Sequence, residues 1–184
     1  MGLNISGLVL NHNYKNDLEE LALVLGEEFH KKEETTFGEG CESWKSDEYC
    51  DVYFSDIGTL VFLSMEKGGF EFCIDGRDTF SFVLSESTMM FCFNYTQNGQ
   101  LIRSYFESDD EIQEDEGTPL EIERTEEDKS EVILHLVGEI LGEEFYEIDM
   151  DAACTRFWLK EPENVTAEAP HEKTSEQKAW WKFW

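Results

Sequence analysis

Positive charge is scarce in this chain. Its 14 Lys and Arg stand against 42 Asp and Glu among 184 residues, leaving a formal charge of −28. A balance this acidic repels phosphate backbones and anionic membranes and draws in basic partners, so direct nucleic-acid binding is not expected. Long apolar runs are missing too. No stretch approaches the ~18 residues of a membrane span, and Met1 to Leu10 lacks the basic start and continuous apolar centre of a secretory signal. The resulting expectation is a cytoplasmic protein without membrane association.

Signatures of chemistry are equally sparse. The five cysteines, Cys41, Cys50, Cys73, Cys92 and Cys154, are scattered and mostly set in apolar runs, as small buried hydrophobes of a reducing compartment would be. None belongs to a Cys-x-x-Cys pair, so zinc is not indicated. His12, His30, His135 and His171 include no pair at the i, i+4 spacing of a helical metal site. Ser64, Ser81, Ser85 and Ser87 lie outside any Gly-x-Ser-x-Gly elbow, and no glycine-rich phosphate loop occurs. Ser108-Asp109-Asp110-Glu111 lacks the alternating ligands and central glycine of a calcium loop. The expectation is a non-enzymatic protein without cofactor, metal or catalytic residues. A Cys–His nucleophilic pair stays open, because such residues meet in space rather than in sequence.

Aromatic residues are plentiful, at 14%, and they concentrate between Thr59 and Phe106. There Leu60 and Phe62; Phe70, Phe72 and Ile74; Phe80, Phe82 and Leu84; and Phe91, Phe93 and Tyr95 repeat with the period of two that strands require. Lys67-Gly68-Gly69, Asp75-Gly76 and Asn98-Gly99 separate these runs, and Asn-Gly is the strongest signal for a tight hairpin. This pattern predicts an antiparallel meander. Val61, Leu63, Val83 and Cys92 fall on its second face, which a helix or loop would partly cover. They would line the pocket of a small-molecule- or ion-binding regulatory domain, the second reading of function.

Flanking segments add strands at Leu3 to Leu10, Phe29 to Phe37, Asp51 to Ser55, Leu120 to Glu123 and Thr155 to Leu159. The second of these holds the compact basic group His30-Lys31-Lys32. Asn16 with Glu19 forms a capping-box pattern ahead of Leu18, Leu21, Ala22 and Leu25, and either Thr125 with Asp128 or Asp128 with Glu131 can cap a longer stripe from Val132 to Leu141. Both helices end in Leu-Gly-Glu-Glu-Phe, at Leu25 to Phe29 and Leu141 to Phe145. A glycine stop followed by a phenylalanine anchor is implied for each. Glu39 to Tyr49 reads as a loop or short helix anchored by Trp44. The fold class is therefore α+β: an antiparallel meander of about six to eight strands with two main helices packed on it. Residues 1–160 form the single domain. The composition of 161–184 predicts a flexible tail, ending in the aromatic cluster Trp180, Trp181, Phe183 and Trp184.

Thirteen carboxylates crowd the stretch from Glu107 to Glu131, against Arg124 and Lys129. Its first part, Glu107 to Glu116, reads as an exposed loop. Asp109, Asp110, Glu111, Glu114, Asp115 and Glu116 are the candidate partner-binding residues, with Trp44 as an aromatic anchor. Even fully extended, such a run carries one charge per ~6 Å, well below the one per ~1.7 Å of duplex DNA. DNA mimicry therefore ranks third, alongside an enzyme of unknown class.

Asp56-Ile-Gly-Thr-Leu60, Asn94-Tyr-x-x-Asn-Gly99, Glu116-Gly-Thr-Pro-Leu120 and the ending Leu141-Gly-x-x-Phe145 resemble small acidic bacterial proteins, some families of which are similar to immunity proteins of toxin gene clusters. That resemblance implies a protein that neutralises a toxin, and it assigns no site. The charge leads the same way independently. A toxin that attacks nucleic acid is basic in order to hold phosphate, and an acidic surface speeds and orients its capture.

Overall fold

The computed structural model describes residues 2–43 and 45–160. Its strands are β1 Asn4–Leu10, β2 Lys31–Thr36, β3 Tyr49–Phe54, β4 Thr59–Phe62, β5 Thr79–Ser85, β6 Met90–Gln97, β7 Gln100–Ser108, β8 Glu111–Gly117 and β9 Ala153–Trp158. They form one antiparallel sheet in the order β2-β9-β3-β4-β1-β5-β6-β7-β8. Four helices accompany it: α1 Leu18–Leu25, α2 Phe37–Gly40, α3 Glu121–Thr125 and α4 Lys129–Leu141. The α+β meander is present with nine strands, more than the six to eight expected. The expected tail and its aromatic end lie outside the described residues, as does Trp44.

Alternation along the strands builds two cores, one on each face of the sheet. Ile5, Val9, Leu60, Phe62, Phe80, Phe82, Phe91 and Phe93 point to the first face, where the apolar stripe of α4 covers them. Leu8, Leu10, Cys50, Val52, Val61 and Phe157 point to the second, under α1. Where the sheet is covered on both sides, from β3 to β6, it has no wet face. That is why the intervening positions Val61, Leu63 and Val83 are apolar as well.

Both helix ends follow the sequence reading. Gly26 and Gly142 adopt φ of 66° and 81°, a conformation in which a side chain would clash with its own backbone. Phe29 then stacks on Phe157 at 4.4 Å, and Phe145 packs against Phe37 at 5.3 Å. The α1 cap is Asp17 rather than Asn16, since the Asp17 carboxylate accepts from the Glu20 amide. Asp128 caps α4 as expected, accepting from Ser130.

Phe70, Phe72 and Ile74 do not form a strand, a correction with a topological cause. β1 lies between β4 and β5 in the sheet, occupying the edge of each. The segment joining β4 to β5 must therefore cross β1 over the second face. It does so as an irregular strap whose carbonyls are met by the sheet's polar side chains: Asn94 Nδ2 donates to Gly69 at 3.1 Å, Ser81 Oγ to Phe70 at 2.5 Å, and Thr79 Oγ1 to Phe72 at 2.5 Å. Phe72 and Ile74 pack on the second core, whereas Phe70 is 60% exposed. Gly68 makes the crossing possible, because a Cβ there would sit 2.4 Å from Ser6 Cβ and 2.7 Å from the Phe82 carbonyl.

Candidate functional site

The acidic run is an edge strand, not the loop its composition suggests. Asp109 and Asp110 form a two-residue turn at φ of 54° and 63°, a left-handed conformation that aspartate tolerates better than most residues. The turn folds β8 back along β7, with Tyr105 opposite Asp115 and Ser104 opposite Glu116. All seven β8 residues are exposed, so the strand needs no apolar side chains and shows no hydrophobic period. Its order comes from the backbone ladder and from anchors beneath it.

Arg103 on β7 is the main anchor. It is 2% exposed, and its Nε donates to both carboxylate oxygens of Glu123 at 2.9 and 3.0 Å. Its Nη1 donates to Asp115 Oδ1 at 2.5 Å and to the Glu116 carbonyl at 3.0 Å. Burial works against the guanidinium charge, but the bonds to Glu123 and Asp115 outweigh it and raise the pKa. Leu120 and Ile122 rest on the first core, and the chain from Glu121 to Thr125 is helical where a strand over Leu120 to Glu123 was expected. This helix, α3, brings Glu123 onto Arg103. On the other face the Ser104 hydroxyl lies between Asn94 Oδ1, at 2.8 Å, and the Glu114 carboxylate.

The six candidate carboxylates thus form one hairpin rim with two kinds of member. Glu114 and Asp115 hold the strand in place. Asp109, Asp110, Glu111 and Glu116 have no ion-pair partner among the described residues, so their charge faces solvent. The signal for this rim was in the sequence, since Asp109-Asp110 is a turn pair directly after a strand-length run. The Arg103–Glu123 pair had no sequence signal.

A second buried ionic group lies at the far end of the sheet. Asp51 on β3 is fully buried and accepts a fork from Arg156 on β9, Nε at 2.7 Å and Nη2 at 2.9 Å, together with Lys45 Nζ at 2.5 Å. The Asp51 contact raises the Arg156 pKa. With every charge partnered, the group ties β3 and β9 to Lys45.

Thiol chemistry is suppressed at the covered cysteines. Burial pushes Cys41 and Cys154 up to about 12 and Cys92 to about 11, so these thiols stay protonated at neutral pH and are poor nucleophiles. His135 is exposed on α4. Among the described residues no group of three or more His, Cys, Asp or Glu could hold a metal ion, and no helix is long and apolar enough to cross a membrane.

The second-face residues Val61, Leu63 and Val83 are buried beneath α1 and the strap, and Cys92 lies half-buried under Gly69. A small cavity of about 160 Å³ reaches Leu63 between Leu25, Phe70, Phe72 and Leu159, and larger open grooves occur elsewhere. One of about 720 Å³ runs between α1 and β2, lined by Leu18, Ala22, Leu23, Phe29 and Phe157 with Lys32 at its rim. Another, of about 510 Å³, lies outside the C-terminal half of α4, over Leu134, Gly138 and Phe145.

A family model described as a family of unknown function (DUF6928) matches residues 70–126. That span contains β5 to β8 and α3, and with them Arg103, Glu123 and the whole acidic rim. No curated protein and no solved structure matches the chain.

Proposed function

We propose that this chain is a non-enzymatic binding protein that captures a basic protein partner on the acidic β7–β8 hairpin. A nucleic-acid-degrading toxin is one partner of that chemistry, so the protein would act as an immunity-type inhibitor. The observation that carries the reading is the edge strand itself: seven exposed residues with four carboxylates, extended by Asp109 and Asp110 at the turn. Every second residue of an edge strand turns its N–H and C=O away from the sheet, so the rim offers a backbone ladder as well as charge. A basic extended segment could use both, with main-chain bonds giving affinity and the carboxylates giving selectivity. Fixing β8 through Arg103 reduces the ordering cost of binding.

The test compares pull-downs from the native host by the wild-type chain and by D109N/D110N/E111Q/E116Q, which keeps the Arg103 and Ser104 anchors. The expected result is a basic protein, recovered by the wild type and lost with the variant and at high salt. Equal recovery by both chains, or a partner that is not basic, refutes the proposal.

A further inference from the structure

The two edges of the sheet differ in what they can pair with. β8 carries Glu111, Glu114, Asp115 and Glu116, so two copies of β8 laid side by side would set like charges against each other. β2, the opposite edge, reads Lys31-Lys32-Glu33-Glu34-Thr35-Thr36 and is preceded by His30. Among the described residues it pairs on one side only, with β9. Its positive half comes first and its negative half second, an order that complements itself when reversed.

We propose that β2 pairs antiparallel with β2 of a second copy of this chain, making one continuous sheet across a two-fold axis. Such an axis stands perpendicular to the sheet and keeps each face continuous, so opposed residues must share parity. The register centred on Lys32 meets that condition. Lys31, which pairs with Glu33 of its own strand, then also opposes Glu33 of the second copy on the first face, and His30 opposes Glu34 on the second. The one like-charged contact, Lys32 against Lys32, has Glu34 of the other copy on its diagonal. Opposite charges across a strand pair are stabilising, and diagonal neighbours are within reach of side chains this long.

The groove beside β2 supplies the apolar part of the contact. Leu23 on α1 is 81% exposed, and it lines the groove together with Leu18, Ala22, Phe29 and Phe157. Lys32 and Phe157 are register partners on the second face, so α1 stands on that face next to the edge. The two-fold axis puts both α1 helices on the same face of the continuous sheet, one on either side of the seam, each facing the groove of the other across it. Each copy carries −28, so the pairing works against a general repulsion and is reversible.

Sedimentation equilibrium of the full chain near physiological salt tests this. The weight-average mass rises with concentration from 21.4 kDa toward twice that value. K31E/K32E and E33K/E34K are each monomeric, and mixing them restores the dimer, because each supplies the charges the other lacks. L23D weakens the wild-type dimer at least tenfold. All of these side chains are at least partly exposed, and circular dichroism should show native spectra for each variant. A wild-type chain that stays monomeric to roughly 1 mM, a dimer that survives K31E/K32E, or a mixture that stays monomeric overturns the proposal.

Discussion

Arg103→Met is the substitution that most directly separates the anchor of the acidic rim from the rim itself. Methionine fills much of the same space but donates nothing. Glu123, whose side chain is 6% exposed, would lose the donor bonded to both its oxygens, and the Glu116 carbonyl would lose a bond at 3.0 Å. Breaking a buried pair from one side costs about 3–5 kcal/mol, since it strands a charge away from water. Asp115 adds little to that figure, because its side chain is 53% exposed and water screens it. With a urea slope of about 2 kcal/mol/M, the unfolding midpoint falls by roughly 1.5–2.5 M. The double variant R103M/E123M removes both charges and should recover most of the loss, as apolar replacements of buried pairs often do. A midpoint for R103M within about 0.5 M of wild type, or a double variant no better than the single, refutes this account of the anchor.

Four further outcomes follow from the packing. Asp51→Asn leaves Lys45 and Arg156 facing a neutral amide, and because the Lys45 side chain is 4% exposed the loss should be about 3 kcal/mol, read as a lower urea midpoint. Gly68→Ala drives a methyl into Ser6 and the Phe82 carbonyl and should destabilise by about 1–3 kcal/mol, with hydrogen exchange rising first in the 64–78 strap. Thiol labelling at pH 8 should find Cys73, exposed, reacting well ahead of the other four cysteines. Cys41 and Cys154, raised from 9.0 to about 12, lose protons in the unfolded chain before the folded one. Their contribution is therefore intact below pH 9 and is lost as pH rises from there toward 12, and urea midpoints should fall across that window.

Much of the fold was legible because much of it is local. Asn98-Gly99 makes the β6–β7 turn at φ of 50° and 77°, and the Val132 to Leu141 stripe forms α4 with its cap and glycine stop. In each case the determining residues lie within a few positions of one another. Other features depend on distant partners. The Phe70, Phe72 and Ile74 run alternates like a strand, but β1 already fills the place a strand would take. The Glu107 to Glu116 run looks like a loop because strand prediction relies on a buried face, and β8 buries neither. Its six candidate carboxylates are all exposed, while the division between anchors and open charges depends on Arg103 and Ser104 beneath them.

By itself, the sequence determined the acidic surface, the strand periods, both principal helices and their stops, since charge, side-chain alternation and left-handed glycines act over short range. The tertiary structure alone decided that β1 separates β4 from β5, that the linker between them becomes a strap over the second core, and that the acidic run becomes an edge strand held on Arg103. Asp51 and Arg156 lie 105 positions apart in the chain, and no local pattern announces that they will share a buried site. Those outcomes come from which edges remain free once the sheet closes around its core, and from which buried charges find a partner there.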